Sequence, residues 1–168
     1  MSEGVGDKQD IKNIILANFP DAVKVERANV TDDKSGIDYW VTTQSGQRHG
    51  IDVKVRSKDY AQGYPPKDDI ALEIWSKVDS KVGWTRDTNK RTDYILWIWL
   101  DTGRWTLVPF PMLCSVFSGH WEQWAKKYDA PIQNTRNSDG SQWQSQCVFV
   151  PRNVVWGAIY ATFGGTPA

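Results

Sequence analysis

Three charged side chains in one stretch of the chain could together carry out metal-assisted chemistry. Asp38 lies in the segment Gly36 to Val41, and Asp52 and Lys54 lie in the segment Gly50 to Arg56. Two aspartates can hold a hard divalent cation such as Mg²⁺, with water and a substrate phosphate completing its octahedron. A lysine ammonium beside them can stabilise developing negative charge. These residue types therefore indicate hydrolysis of a phosphodiester.

Both segments alternate apolar and polar residues, which predicts two half-buried strands. A three-residue loop, Ser45-Gly46-Gln47, would join them as a hairpin with its glycine in a left-handed conformation. In that register six apolar side chains share one face, with Ile37, Tyr39 and Val41 opposite Val55, Val53 and Ile51.

The other face of the predicted hairpin then carries Asp38 opposite Lys54, with Asp52 diagonal to Asp38. Directly opposed Cβ atoms lie about 4.5–5.5 Å apart and diagonal ones roughly 7–8 Å apart. A two-residue loop would turn Ile51 and its apolar neighbours toward the face of Asp38 and Trp40. The burial pattern therefore favours the first register.

The same residues resemble the signature of the PD-(D/E)XK superfamily of restriction-endonuclease-like nucleases. Asp38 matches the acidic position on one strand, and Asp52 and Lys54 match the acidic-x-Lys triplet on the next strand. Ile37 stands where the family name has proline. The resemblance implies a mixed sheet flanked by helices and a Mg²⁺-dependent nuclease, with Mn²⁺ as a substitute. It also implies DNA as substrate, endonuclease activity and a homodimer that cuts both strands.

The resemblance assigns roles to individual residues of this chain. Asp38 and Asp52 would bind the metal, and Lys54 would orient or activate the attacking water. Members of the superfamily often supply a further glutamate from the first helix or nearby, for which Glu26 or Asp10 is available here. Glu73 would assist if its strand, Ile70 to Ser76, adds beside the hairpin with its apolar side inward.

The Asp-x-Lys triplet alone is a weak signal, because the chain contains four matches: Asp10 with Lys12, Asp32 with Lys34, Asp52 with Lys54, and Asp79 with Lys81. The third match lies inside an alternating strand with another aspartate nearby. One alternative is a surface hairpin with solvated charges, whose cross-strand ion pair contributes at most ~1 kcal/mol. Another is a non-catalytic module of the same fold that binds nucleic acid or a protein.

Composition limits the partners and the compartment. Twenty basic and twenty acidic side chains give a formal net charge of zero, so attraction to nucleic acid would depend on local basic segments. The contacts predicted from two such segments, which also hold Arg48 and Arg86, are Arg56, Lys58, Lys90 and Arg91. The two cysteines and two histidines show no zinc-ligand spacing. The start lacks an apolar leader and no run reaches about 18 apolar residues, which predicts a cytoplasmic protein without a membrane partner.

The remaining pattern predicts a single α/β (α+β) domain over residues 1–168, with 1–9 and 162–168 frayed. The predicted elements are a helix from Asp10 to Pro20, a strand at 23–28, a buried central strand at 92–100 and its hairpin partner at 104–108, helices at 111–119 and 120–128, a strand at 146–150 and a closing helix at 151–160. Residues 57–69, 77–91 and 131–145 are predicted to be connections, the last as a loop or hairpin tip.

Overall fold

The computed structural model describes residues 8–165. Its helices are α1 (Lys8–Asn18), α2 (Val30–Lys34), α3 (Phe110–Lys127) and α4 (Arg152–Phe163). Its strands are β1 (Ala22–Arg27), β2 (Tyr39–Thr43), β3 (Arg48–Arg56), β4 (Asp69–Lys77), β5 (Lys81–Val82), β6 (Tyr94–Trp99), β7 (Trp105–Pro109), β8 (Ile132–Arg136) and β9 (Gln142–Pro151). In the described part of the chain no helix is long and apolar enough to cross a membrane.

The fold is α+β, and its strands form two sheets instead of the one that the sequence predicts. The chain divides into two compact units. The first unit comprises the chain up to Asp59 together with Lys90–Phe110, and the second comprises Tyr60–Asn89 together with the chain from Pro111 onward. Each unit contains one of the two sheets, so each is described by itself.

The first unit contains the predicted mixed sheet, in the order β1-β2-β3-β6-β7. Strands β3 and β6 run parallel, and the other neighbouring pairs are antiparallel. Helix α1 covers one face of this sheet, and its Ile11 and Ile15, four residues apart, pack in one cluster with Tyr39, Val41, Ile51, Leu96 and Ile98. The predicted first helix and the buried strand β6 are therefore confirmed.

The hairpin of β2 and β3 forms, but its register differs from the predicted one. The loop is Gln44-Ser45-Gly46, closed where the Thr43 amide donates to the Gln47 carbonyl at 2.9 Å, and Gly46 has φ 82°. Tyr39 therefore lies opposite Ile51, not Val53. When a loop of fixed length moves by one residue along the chain, each residue of β2 pairs with a residue of β3 two positions from its predicted partner. Because side chains alternate with a period of two, β2 and β3 keep their predicted faces.

Two apolar residues of the hairpin depart from the predicted inner face. Val55 is 49% exposed. Ile37 is buried, but it packs where a Cβ of Gly50 would project, with Cδ1 3.0 Å from that position. Since Gly50 precedes Ile51, this places Ile37 on the opposite side of β3 from the α1 cluster.

The second unit contains an antiparallel sheet in the order β5-β4-β9-β8. Ile70, Leu72 and Ile74 of β4 are fully buried as predicted. However, β4 pairs with β5 and β9 and not with the acidic hairpin. The prediction that this strand adds beside the hairpin is wrong.

Several boundaries in the second unit also differ from the predictions. A single helix, α3, continues through Gly119 where two helices were predicted. The segment 131–145, predicted as a loop or hairpin tip, is a hairpin that also contains strand β8 and the start of β9. Helix α4 extends to Phe163, beyond the predicted frayed boundary. The predicted fraying of residues 1–7 and 166–168 falls outside the described residues.

Candidate functional site

Asp38 immediately precedes β2, and its backbone and side chain are both anchored on β3. Its amide donates to the Ile51 carbonyl at 2.8 Å. Its Oδ2 accepts a hydrogen bond from the Val53 amide at 2.7 Å. Because Ile51 and Val53 flank Asp52, these two bonds direct the Asp38 carboxyl toward the Asp52 carboxyl.

The Asp38 and Asp52 carboxyl groups form an interacting pair. Asp52 lies within β3, between β2 and β6, and is only 4% exposed. Burial raises the pKa of Asp38 from 3.8 to about 6, the Val53 hydrogen bond opposes this rise, and repulsion by Asp52 adds to it. Asp38 therefore retains its proton to a higher pH than an isolated aspartate would.

A third carboxyl group, that of Asp33, belongs to the same cluster and was missed by the sequence analysis. Hydrogen bonding with Asp33 contributes to the raised pKa of Asp38. Asp33 lies on α2, whose N-cap is Asn29, with its side chain accepting from the Asp32 amide at 2.9 Å. The Trp40 indole N–H donates to Asp32 Oδ2 at 3.1 Å and ties α2 to β2. The Asn29 cap was the available sequence signal for this helix.

Two lysines border Asp52. The ammonium nitrogens of Lys54 and Lys90 each lie 2.9 Å from its Oδ2 atom, and their side chains are 33% and 8% exposed respectively. Oδ2 is buried, and these contacts are ion pairs without a well-directed hydrogen bond. Lys54 thus contacts Asp52, its neighbour on β3, and does not lie opposite Asp38 as predicted.

Lys90 reaches the site because the segment before β6 is fixed to Gly50. The Gly50 amide donates to Asp93 Oδ2 at 2.7 Å, and Gly50 O accepts from Thr92 Oγ1 at 3.0 Å. The Lys90 ammonium also donates to the Gly36 carbonyl at 3.4 Å. Gly36 has φ 89°, and a side chain there would overlap the Lys90 ammonium. Both the backbone conformation and the available space therefore favour glycine at position 36.

The predicted contact of Lys90 with nucleic acid stays a prediction, and the structure shows where this lysine lies. With 8% of its side chain exposed and its ammonium on Asp52, Lys90 is part of the acidic cluster. Lys58 and Arg91 are exposed and Arg56 is half-buried, so their predicted contacts with nucleic acid stay predictions.

The role predicted for Glu73 depended on its strand lying beside the acidic hairpin, which the structure does not show. Glu73 lies on β4 in the second unit, and its Oε1 accepts a hydrogen bond from the Trp84 amide at 3.1 Å. Its own amide donates to Thr85 Oγ1 at 2.9 Å. The structure thus assigns it to the contact between β4 and the turn at Trp84–Arg86.

The two residues suggested as substitutes for a further glutamate also lie elsewhere in the first unit. Glu26 is on β1 opposite Trp40, where it pairs with Lys24 at 3.1 Å. Asp10 is on α1, the helix that covers the opposite face of the sheet. Asp33 is instead the additional carboxyl beside Asp38.

The cluster has the charge and donor atoms expected for a hard cation. When ionised, its three carboxylates and two ammonium groups carry a net charge of −1, from Asp33, Asp38, Asp52, Lys54 and Lys90. Residues 8–165 contain no group of three or more histidine, cysteine or acidic side chains arranged to hold a metal ion. A site for Mg²⁺, which commonly takes one or two carboxylates and completes its shell with water and substrate oxygens, therefore stays a prediction.

Comparison with known proteins found no relative of this chain. No family model, curated protein or solved structure matches the chain.

Proposed function

We propose that this chain is a metal-dependent nuclease that hydrolyses phosphodiester bonds of DNA, most simply as an endonuclease. The observation that carries the proposal is the pairing of the Asp38 and Asp52 carboxyls beside the Lys54 ammonium on adjoining strands. The resemblance to the PD-(D/E)XK superfamily rests on these same three residues. A cytoplasmic location and a homodimer that cuts both strands are parts of the same proposal.

Asp38 and Asp52 are the residues that would hold Mg²⁺ or Mn²⁺. The two carboxyls are held together despite the burial and repulsion that raise the pKa of Asp38, and a divalent cation between them would relieve that repulsion. A bound divalent ion would supply Lewis acidity and a more acidic water at the phosphate. Asp33 is exposed and shares a hydrogen bond with Asp38, so its carboxylate can accept a hydrogen bond from water at the site.

The two lysines have different roles in this proposal. Lys54 is one-third exposed, so its ammonium can orient the attacking water and stabilise charge on the phosphate. Lys90 is buried and holds Asp52, which makes it a positioning residue. It keeps the Asp52 side chain in place through the 2.9 Å ion pair.

A cleavage assay tests the proposal. Purified protein is incubated with supercoiled plasmid, linear duplex, single-stranded DNA and a four-way junction, each with Mg²⁺, with Mn²⁺ and with EDTA. Cleavage that requires the metal would support the nuclease and identify its preferred substrate. Absence of cleavage of every substrate under both metals would contradict it.

Replacing Lys54 with alanine is expected to lower the cleavage rate by about a hundredfold or more, the usual effect of removing one group that stabilises transition-state charge. Binding of Mn²⁺ should not weaken, because the substitution removes a cation from Asp52. Single-turnover cleavage and calorimetry measure the two effects. Lys67→Ala removes an exposed lysine of the second unit as a control. Full cleavage by Lys54→Ala would refute the role of this lysine.

Metal binding is expected to strengthen as pH rises toward 7. Below pH 6 Asp38 is mostly protonated, because its pKa is raised to about 6, and a proton must leave before the carboxylate binds a cation. The affinity for Mn²⁺ should therefore rise about tenfold per pH unit below pH 6 and level off near pH 7. Calorimetric titrations at several pH values measure it, and a pH-independent affinity between pH 5 and 7 would exclude Asp38 as a ligand.

A second candidate function is a non-catalytic module that binds nucleic acid or a protein. The observation that favours it is that Lys54 and Lys90 already balance the charge of Asp52 without a metal ion. This candidate predicts salt-sensitive binding in EDTA and no metal-dependent turnover.

A further inference from the structure

An arginine stacked on a tryptophan lies on the same sheet face as the acidic cluster. The Arg48 guanidinium lies over the Trp40 ring at 4.3 Å from its centroid. Trp40 follows Asp38 by two residues, and Arg48 precedes Asp52 by four residues on β3. Residues at even separations on a strand share a face, so Arg48 lies about 13 Å along the strand from Asp52 on the same face.

Two other arginines also stack on tryptophans, but their guanidinium groups are engaged in hydrogen bonds. Arg104 lies over Trp99 and donates to both carboxylate oxygens of Asp59, at 2.7 and 2.8 Å. Arg86 lies over Trp75 and donates to the Ile74 carbonyl at 3.1 Å. Their donors therefore serve the fold.

Arg48 differs because, among the described residues, its guanidinium makes a long ion pair and no hydrogen bond of normal length. Its side chain is 51% exposed, and its nearest carboxylate, that of Glu26, is 3.7 Å away. Glu26 lies closer to Lys24, at 3.1 Å. Within residues 8–165 no group accepts a hydrogen bond from the Arg48 guanidinium at normal length. Stacking orients this group while its N–H edges stay available.

We propose that Arg48, held flat on Trp40, binds a backbone phosphate of the DNA strand that passes over the acidic cluster. Guanidinium groups bind phosphates through paired hydrogen bonds, and an orientation already set by stacking reduces the loss of side-chain entropy. The acidic cluster is negative before a cation binds, so DNA needs a positive contact outside it. The substrate class rests on the proposed function, but the contact itself does not require cleavage.

Binding in EDTA tests the proposal without any reaction. Fluorescence anisotropy of a labelled duplex is measured with the wild-type chain, Arg48→Ala and Arg48→Lys over a range of salt concentrations. Arg27→Ala is the matched control, because Arg27 is an exposed arginine that lies over the Tyr39 ring and so belongs with the opposite face of the same sheet. Melting temperatures confirm that each variant is folded. Arg48→Gln, which keeps a planar group over Trp40, replaces Arg48→Ala if alanine lowers the melting temperature.

Arg48→Ala is expected to weaken binding about tenfold, as loss of a charged hydrogen-bonded contact does, and to reduce the slope of log K against log salt by about 0.9. The affinity of Arg48→Lys for the duplex should lie between the affinities of Arg48→Ala and the wild type. The affinity of Arg27→Ala should equal that of the wild type. Equal binding by Arg48→Ala and Arg27→Ala, or no binding by the wild type, overturns the proposal.

Failure of this inference is distinguishable from failure of the nuclease proposal. Binding that depends on Arg48, in a chain that does not cut DNA, would support this contact and refute the nuclease. Metal-dependent cutting with binding unaffected by Arg48→Ala would refute this contact and leave the nuclease standing.

Discussion

Replacement of Asp38 by asparagine is expected to abolish metal-dependent cleavage and to raise the melting temperature at pH 7.5. Asparagine keeps an oxygen that can accept the Val53 hydrogen bond, but it removes a half-buried charge next to Asp52. Because the pKa of Asp38 is raised from 3.8 to about 6, ionising it costs more in the folded chain than in the unfolded chain. A rise of about 2–4 °C corresponds to a modest relief of this cost in a chain of this size.

The gain in melting temperature from Asp38→Asn is expected to depend on pH in a definite direction. The folded chain binds the Asp38 proton more tightly than the unfolded chain does, so wild-type stability falls as pH rises from about 4 to about 6. The advantage of Asp38→Asn should be full above pH 6, shrink between pH 6 and 4, and nearly vanish below pH 4. Thermal melts at pH 4 and 7.5 measure it, with Asp21→Asn, which replaces an exposed aspartate of the first unit outside the cluster, as the control.

Two results would contradict the account of Asp38. Intact cleavage by a folded Asp38→Asn variant would remove this residue from the mechanism. A melting temperature that Asp38→Asn lowers at pH 7.5 but not at pH 4 would show that the carboxylate stabilises the fold, contrary to its raised pKa.

Replacement of Asp52 by asparagine is expected to abolish cleavage too, but to destabilise the chain. The Lys90 side chain is 8% exposed, and its ammonium lies on Asp52 Oδ2. Removing one partner of a buried ion pair commonly costs about 3–5 kcal/mol, because the other charge stays buried. Urea unfolding at pH 7.5 should show that the free energy of unfolding falls by an amount near the lower end of that range. The loss is not larger because the Gly36 carbonyl also accepts a hydrogen bond from Lys90.

A double-mutant cycle separates this effect from general damage to the site. Lys90→Met alone should also destabilise the chain, because it removes a positive charge from beside the acidic cluster. Asp52→Asn combined with Lys90→Met removes both buried charges, so its loss of stability should be smaller than the sum of the two single losses. Additive losses would mean that the ion pair contributes nothing, and that Lys90 is not the residue that holds Asp52.

The sequence predicts the faces of β2 and β3, apart from the exposed Val55 and the displaced Ile37, but not the register of the hairpin. Alternation placed Tyr39, Val41 and Ile51 in the core together, and the structure agrees. The predicted loop was one residue too late, which shifted each pair by two positions and set Asp38 opposite Lys54. Two loops of equal length preserve the same burial pattern, so burial alone could not distinguish them.

The places of Lys90 and Asp33 in the acidic cluster could not be predicted from the sequence. Lys90 lies in a segment without periodicity, 36 residues after Lys54, and reaches Asp52 through contacts of Thr92 and Asp93 with Gly50. Asp33 lies on the five-residue helix α2, which is too short to show a hydrophobic period. Contacts between elements fix both positions, and no local pattern encodes them.

The neighbours of the strand that carries Glu73 could not be predicted from the sequence either. Its alternation correctly predicted a half-buried strand with Ile70, Leu72 and Ile74 inward. Alternation does not specify which strand will be the neighbour, and β4 pairs with β9, which is distant in the sequence. A strand from the same stretch of chain can therefore belong to a different sheet from the hairpin before it.

Binding of Mn²⁺ to the wild-type chain and to Asp38→Asn tests the central claim most directly, namely that the Asp38 and Asp52 pair holds a divalent cation. Isothermal titration calorimetry at pH 7.5 is expected to show saturable binding by the wild type and binding at least about tenfold weaker by Asp38→Asn, with Lys67→Ala unchanged. The absence of binding by the wild type, or equal affinity in Asp38→Asn, would contradict the metal site and favour the non-catalytic binding module.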